Sequence, residues 1–173
     1  VYEGLLAECG VDPGARPRIA HACHVAFNDF ASWRTFTDTA PLLEALDTRR
    51  AAGLHVGVLS NWESWLEALL VHMGIASHFD ALTVSGVVGL EKPDVGIFDH
   101  ALAAAGLDRS TAHLVVHVGD SWSADVLGAR GVGIAPVWLD RDGRGAAERV
   151  ASTTTIRTLA ELPALIDAGA VRA

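Results

Sequence analysis

From residue 41 onward, short apolar runs of strand length alternate with longer stretches in which apolar residues recur at helical spacing. The predicted strands cover residues 54–60, 79–85, 114–120 and 134–140. The predicted helices cover residues 39–53, 61–74, 94–107 and 123–133, and residues 155–169 supply a short extended piece followed by a last helix. Strands that alternate with helices of this length build parallel sheets covered by helices on both faces. The pattern predicts a three-layer α/β fold, with residues 1–40 as a helical appendage without strand signals.

The composition is that of a folded protein with one domain and a small appendage. Half of the 173 residues are hydrophobic and 20% are charged, so a sizeable core can form. The formal net charge of −8 excludes a general nucleic-acid surface, which needs clustered Lys and Arg. It does not exclude a phosphate ester, because a bound cation reverses the local field. No apolar run reaches the length of a membrane span, so no membrane partner is predicted.

The cysteines predict a reducing, cytoplasmic setting. Cys9 and Cys23 form no CxxC pair and imply no disulfide framework. Cys23 lies close to His21 and His24, but no fourth ligand follows at the spacing of a zinc site, so no metal is predicted there. The first residues also lack the basic and apolar regions of a signal peptide.

Polar side chains follow three of the predicted strands. They are Ser60 and Asn61 after the first strand, Lys92 within EKPD at 91–94 after the second, and Asp120, Ser121 and Asp125 within GDSWSAD at 119–125 after the third. In open parallel sheets, ligands bind beyond the carboxyl ends of the strands, and these residues are expected to meet there. Two carboxylates so close in sequence repel each other unless a lysine, an arginine or a metal ion lies between them.

Each of these residues also has an ordinary structural interpretation. Asp120 and Asp125 fit a turn residue and an acid at a helix N-terminus, and Ser60 fits a strand-end or N-cap serine. Lys92 alone fits a solvated surface lysine. Because these residue types converge at one rim, we favour the functional interpretation. His117 and its neighbour His113 flank a strand and are interpreted as structural, as are Trp62, Trp65 and Trp122, with one tryptophan at the substrate entrance as the alternative.

The three motifs resemble those of the haloacid dehalogenase superfamily, whose members are mostly magnesium-dependent phosphatases. LSN at 59–61 is similar to its second motif, EKPD to its third and GDSWSAD to its fourth, in the same order and spacing. The resemblance covers roughly residues 41–140. It implies a Rossmann-like core at 41–173, with residues 1–40 as part of the small helical cap that one branch of the superfamily carries.

The resemblance implies a role for the residues of the second and third motifs. The Ser60 hydroxyl would donate a hydrogen bond to a phosphoryl oxygen. Asn61 and Ser121 would lie at the rim, in contact with either the substrate or the backbone. Lys92 would hold a carboxylate nucleophile and the transferring phosphoryl group together.

The fourth motif would bind the cofactor. Asp120 is implied as a ligand of Mg²⁺, which commonly takes one or two carboxylates, waters and the substrate phosphate. Asp125 would orient Lys92 or a metal-bound water without itself binding the metal. The metal would lower the cost of bringing a phosphate dianion to an acidic rim.

The superfamily's first motif, DxDxT, which carries the aspartate nucleophile on the first strand, is absent from these residues. The DxD at Asp140-Arg141-Asp142 follows the last predicted strand and lies in a polar loop. In the family the first strand lies between the strands of the second and fourth motifs, so the resemblance implies a core without that strand. The chain begins with Val1 rather than Met, which favours a native N-terminus further upstream. We expect these 173 residues alone to be inactive.

The leading functional prediction is a phosphatase that acts on a small phosphate monoester. A 2-haloacid dehalogenase uses the same scaffold without a metal, and the two acids of GDSWSAD argue against it. A phosphomutase needs the same motifs. A non-catalytic binding or interaction protein on the same fold is the alternative from another class. No pattern in the sequence identifies the substrate further or predicts the oligomeric state.

Overall fold

A computed structural model describes residues 2–169 of the protein, apart from the side chains of Tyr2, Ala147 and Glu148. Helices and short parallel strands alternate along most of this part of the chain. None of the helices that the structure describes is long and apolar enough to cross a membrane. The predicted α/β class is confirmed.

The chain divides into two compact units, the first ending at Thr35 and the second beginning at Phe36. This division precedes the predicted boundary at residue 40. Asp38 already belongs to the second unit, because its carboxylate accepts hydrogen bonds from the Thr158 hydroxyl at 2.8 Å and the Leu159 backbone N–H at 2.9 Å. The interpretation of residues 1–40 as part of a cap stays a prediction.

The first unit is helical. Its elements are α1 (Tyr2–Glu8), α2 (Arg16–Asn28) and a 3₁₀ turn (Phe30–Ser32). Pro17 lies in the first turn of α2, where its missing N–H has no helical partner to lose. Phe27 and Trp33 pack edge to face, with ring centroids 5.3 Å apart.

The second unit carries the sheet. Its strands are β1 (Gly57–Ser60), β2 (Ala81–Val84), β3 (Val116–Gly119), β4 (Ala135–Leu139) and β5 (Thr154–Ile156). Its helices are α3 (Thr39–Arg50), α4 (Leu66–His72), α5 (Ser85–Val88), α6 (Val95–Ala104), α7 (Gly128–Gly131), α8 (Ala147–Ala151) and α9 (Leu162–Asp167). β1 to β4 are each shorter than the predicted apolar run but lie within it, and β5 begins one residue before the segment in which the short extended piece is predicted.

The strands form two separate parallel sheets. β1 pairs with β2, and β4 lies between β3 and β5. In the described part of the chain, β1 and β3 therefore each have a strand on one side only. These are the strands of the second and fourth motifs, the two for which the sequence predicts a missing common neighbour.

Helices cover the strands on both faces and give three layers. On one face, α3 and α9 pack against β4 and β5 through Leu42, Leu46, Val137, Ile156 and Leu162. On the other, α6 and α7 bury an apolar cluster that includes Ile97, Phe98, Leu102, Ala129 and Ile134. Both clusters are almost fully excluded from water, which makes their burial the main stabilising term of this unit.

Two predicted helices begin differently in the structure. The helix expected from residue 61 begins at Leu66, because the Asn61 amide bonds to the Lys92 backbone and the Trp62 N–H donates to the Ser85 hydroxyl at the start of α5. The helix expected at 123–133 starts as a π-helix (Trp122–Leu127) before α7. Wider turns of this kind are frequent at functional sites, and this one carries Asp125.

Candidate active site at the carboxyl ends of the strands

Lys92 lies in the loop between α5 and α6, and its side chain points inward. Its ammonium group donates to the Leu59 backbone carbonyl in β1 at 2.9 Å and to Asp125 Oδ1 at 2.7 Å. The Lys92 and Asp125 side chains are only 10% and 7% exposed. Lys92 is also the single lysine of the sequence. A solvated surface role therefore does not describe it, because it bridges β1 and the helix that follows β3.

The Leu59 carbonyl points away from β2. In a parallel ladder, successive residues direct their backbone groups to opposite sides of the strand. The Val56 carbonyl bonds to the Asp80 N–H at the start of β2, so Leu59, three residues on, faces the other side. The ammonium of Lys92 thus bonds to β1 on the side where the described residues supply no strand.

Asn61 holds the backbone of Lys92 in place. Its side-chain amide donates to the Lys92 carbonyl at 2.9 Å and accepts from the Lys92 N–H at 2.7 Å. The amide therefore acts as a two-point clamp between the loop after β1 and the EKPD loop. This is a backbone contact, one of the two roles that the sequence left open, and a substrate contact of Asn61 stays a prediction.

Asp125 accepts three hydrogen bonds from its surroundings. Oδ1 accepts from Lys92 Nζ and from His117 Nε2 at 2.9 Å, and Oδ2 accepts from the Ser121 backbone N–H at 2.8 Å. Burial alone would raise the pKa of Asp125, but the bonds from His117, Lys92 and Ser121 and the charge of Lys92 hold that pKa well below its usual range. Asp125 is therefore an ionised acceptor that fixes the Lys92 ammonium.

Gly119 makes room for this carboxylate. A Cβ built on Gly119 would lie 2.6 Å from the Asp125 Cβ, closer than real side chains approach. The glycine of the GDSWSAD motif is thus required by the close approach of Asp125 to the end of β3.

His117 is part of the site, and the sequence interpretation missed it. Its side chain is 12% exposed and bonds to the same Asp125 oxygen as Lys92 does. Strand alternation could have identified it, because residues 117 and 119 lie on the same face of β3, the face against which Asp125 packs.

Asp120 directly follows β3, and its side chain is exposed while its backbone is fixed. The Trp138 indole N–H donates to the Asp120 carbonyl at 2.9 Å, and Trp138 pairs in register with Gly119. The Trp138 side chain is buried, so this anchor is sheltered from water. Trp122, beside the motif, packs edge to face on Trp138 with ring centroids 5.1 Å apart, which agrees with a packing role.

Two serines border the same rim. Ser121 is the N-cap of the π-helix, and its hydroxyl accepts from the Ala124 N–H at 3.2 Å. Ser60 ends β1, next to the Leu59 carbonyl that binds Lys92. Within residues 2–169 the Ser60 hydroxyl makes no hydrogen bond, so it is able to donate to an incoming oxygen.

The donor set is compatible with a weakly held hard cation. The Asp120 carboxylate is exposed and, among the described residues, accepts no hydrogen bond, so its oxygens are available. No group of three or more His, Cys, Asp or Glu side chains suited to a metal occurs in the part of the chain that the structure describes. One carboxylate, supplemented by water and a phosphate, fits the preferences of Mg²⁺, whereas a transition-metal site would need more protein ligands.

This fold and site define a Rossmann-like α/β protein with a polar rim at the carboxyl ends of its parallel strands. The family model of haloacid dehalogenase-like hydrolases matches residues 14–133, well over half of the chain. The chain belongs to the haloacid dehalogenase-like hydrolase family.

Similar proteins of the family include phosphatases. Haloacid dehalogenase-like hydrolase domain-containing protein 3 of Danio rerio is 34% identical over 92% of this chain and 64% of its own length. Pyrimidine 5′-nucleotidase YjjG of Escherichia coli (strain K12) is 39% identical over 64% of this chain and 49% of its own length. The crystal structure of a HAD phosphatase from Thermococcus onnurineus superposes with a TM-score of 0.69 at 25% identity, covering 96% of this chain and 86% of that one. The chain thus spans between about half and two thirds of these two curated relatives.

Proposed function

We propose that these residues form the larger part of a magnesium-dependent phosphatase that cleaves a small phosphate monoester through an aspartyl-phosphate. The observation that carries the proposal is the buried Lys92 ammonium, held between Asp125 and the carbonyl of Leu59, the residue before Ser60. A fixed positive charge and a hydroxyl at one rim suit a phosphoryl group, whose oxygens carry the charge of the transition state. The phosphatase named among the similar structures supports the same reaction class.

Each site residue then has a task. Lys92 neutralises phosphoryl charge and holds the nucleophile close to it, while Ser60 donates a hydrogen bond to a phosphoryl oxygen. Asp125 keeps Lys92 in position, and Asn61 fixes the backbone from which Lys92 extends. Ser121 is proposed to contact the substrate through its hydroxyl hydrogen.

We propose that the nucleophilic aspartate comes from a segment outside these 173 residues. Two observations support this. The residues carry no DxDxT motif, and β1 and β3 are each paired on one side only in the described residues. A strand placed between them would bring its carboxyl end to Lys92 and Ser60. On this proposal the 173 residues alone do not turn over substrate.

Asp120 would hold the magnesium ion, together with water, the substrate phosphate and a carboxylate from the missing segment. When bound, the ion supplies positive charge that offsets the phosphate dianion at an acidic rim. Trp138 fixes the Asp120 backbone, which limits the positions that the carboxylate can reach. A cytoplasmic setting stays part of the proposal, compatible with the free thiols of Cys9 and Cys23.

The test is phosphate release from a generic aryl phosphate by the full-length protein, with and without magnesium. We expect activity that requires magnesium and is abolished by Asp120→Ala, with Asp142→Ala in the exposed loop as the matched control that retains it. Full activity in a chelator, or in Asp120→Ala, would remove the metal role.

Metal-independent halide release from a 2-haloacid, without phosphate release, would favour the dehalogenase instead. The absence of both activities would favour a non-catalytic relative. Turnover of the aryl phosphate by the 173 residues alone would overturn the proposed origin of the nucleophile.

A further inference from the structure

His117 lies in the middle of β3, a position that usually serves packing, yet its ring reaches a charged group. His117 Nε2 lies 2.9 Å from Asp125 Oδ1, the oxygen that also accepts from Lys92 Nζ at 2.7 Å. Because the carboxylate also accepts from Lys92 and Ser121, it is an acceptor toward every neighbour, so Nε2 must carry the hydrogen. The ring is therefore a donor whether it is neutral or protonated.

The His117 ring is held from behind by the core. Phe98 is fully buried and packs edge to face on the imidazole, with centroids 5.6 Å apart at 79°. Phe98 in turn packs on α7, where a Cβ on Gly128 would lie 2.7 Å from the Phe98 ring. A glycine at that position lets the ring approach so closely. The hydrophobic core thus fixes the direction in which His117 donates.

We propose that His117 is a positioning residue that fixes the Asp125 carboxylate and, through it, the Lys92 ammonium. Asp125 Oδ1 accepts from two donors at ordinary hydrogen-bond distances, and without His117 the carboxylate keeps only the bonds from Lys92 Nζ and the Ser121 N–H. Its orientation is then less constrained, so the Lys92 ammonium bonds to a less firmly held carboxylate while its bond to the Leu59 carbonyl remains. The positive charge of Lys92, which the phosphoryl group needs, is then less precisely placed. The catalytic part of this inference rests on the proposed function, but the positioning of Lys92 by His117 through Asp125 does not.

The position of the Lys92 ammonium can be followed directly by chemical labelling, because Lys92 is the single lysine of the sequence. Acylation of Lys92 by an amine-reactive ester, followed by peptide mass spectrometry, measures how often the ammonium leaves its buried position. His117→Leu keeps an apolar side chain of similar size but removes the donor. We expect Lys92 labelling to rise about fivefold to tenfold, the population change that losing one hydrogen bond produces.

Two variants complete this test. His117→Gln retains an N–H in the place of Nε2 and should label at the wild-type rate, while His113→Leu, on an exposed turn next to the strand, is the matched control. Long-range ¹H–¹⁵N spectra of the wild-type ring should show the hydrogen on Nε2. Equal labelling of His117→Leu and wild type, or a neutral ring with its hydrogen on Nδ1, would overturn the inference.

In the full-length protein, His117→Leu should lower kcat about 10-fold to 100-fold, the usual cost of losing a partner behind a reacting group, while KM changes little. His117→Gln should restore kcat to within about threefold of wild type. Unchanged kcat in His117→Leu would refute the catalytic part. If the wild type releases no phosphate but His117→Leu still labels faster, the proposed function fails and the hold of His117 on Lys92 stands.

Discussion

Two networks of charged residues stand at opposite ends of the strands, and they are built from the same kinds of side chain. The carboxyl-end network consists of Lys92, Asp125 and His117. The amino-end network consists of Arg50, Asp47, Asp80 and His78, with Asp80 also bound to the Val56 N–H just before β1. Each therefore combines a cation, aspartate and a histidine.

The two networks differ in their access to water. In the carboxyl-end network the side chains are 7–12% exposed, whereas in the amino-end network they are 23–41% exposed. Exposed ion pairs contribute little to stability, but removing one partner of a buried pair leaves a charge without compensation. Burial, and not residue type, therefore makes a network suited to hold a reacting charge.

The largest expected effect comes from Lys92→Met. Asp125 would stay buried without its main counter-charge, and we expect a loss of about 3–5 kcal/mol in the free energy of unfolding. Denaturant unfolding measures this. Arg50→Met removes the cation of the amino-end network and should cost clearly less. Equal losses of unfolding free energy in the two variants would contradict the proposed effect of burial.

Gly119→Ala should come next. The added methyl group would overlap Asp125, and we expect a loss of about 1–3 kcal/mol in unfolding free energy together with faster acylation of Lys92. Gly131→Ala is the control, because nothing lies within 4 Å of its ideal Cβ. That variant should be neutral or stabilising by up to about 1 kcal/mol. If both alanine variants behave alike, Asp125 does not need the space.

Asn61→Ala tests the clamp on the Lys92 backbone at the edge of the carboxyl-end network. Two hydrogen bonds are lost at an exposed position, so we expect about 0.5–1.5 kcal/mol less stability and a modest rise in Lys92 acylation. Asn61→Asp still accepts from the Lys92 N–H but places a second acceptor against the Lys92 carbonyl, so it should be at least as perturbed as Asn61→Ala. An Asn61→Asp variant with wild-type stability and wild-type Lys92 acylation would contradict the clamp.

The smallest effect is the acid dependence of the amino-end network. Hydrogen bonds from Arg50 and from the Val56 N–H lower the pKa of Asp80 from 3.8 to about 2. A lowered pKa means that the stabilisation is complete above pH 3.8 and is lost as the pH falls through about 2. Wild type should therefore be more stable than Asp80→Asn at neutral pH, and the gap should close in that acid range. Denaturant unfolding at several pH values measures the gap, and a gap that stays constant down to pH 2 would contradict the assignment.

The parts of the site that were predictable are those that a linear pattern records. Ser60, Lys92 and Asp120 each follow an apolar run, and the carboxyl ends of parallel strands meet at one edge. The non-helical stretch after β1 was not predictable in this way. Asn61 leaves the helical pattern because its amide binds the backbone of residue 92, 31 positions away, and no local pattern contains that contact.

The role of His117 was also not predictable from a local pattern, although the residue lies within a predicted strand. A histidine in an apolar run is usually a packing residue, and only its distance to Asp125 distinguishes it from His113 on the neighbouring turn. The shift of the Asp125 pKa has the same origin, since it depends on burial and on donors from three segments of the chain.

The sequence by itself determined the alternation of strands and helices, the order of the motifs and the absence of DxDxT, because periodicity and residue identity are local properties. The tertiary structure alone decided that Lys92 is buried, that His117 and Lys92 share one oxygen of Asp125, and that β1 and β3 remain in separate sheets. These features depend on which distant segments lie within hydrogen-bonding distance and on how much water they exclude, and both are properties of the packed chain.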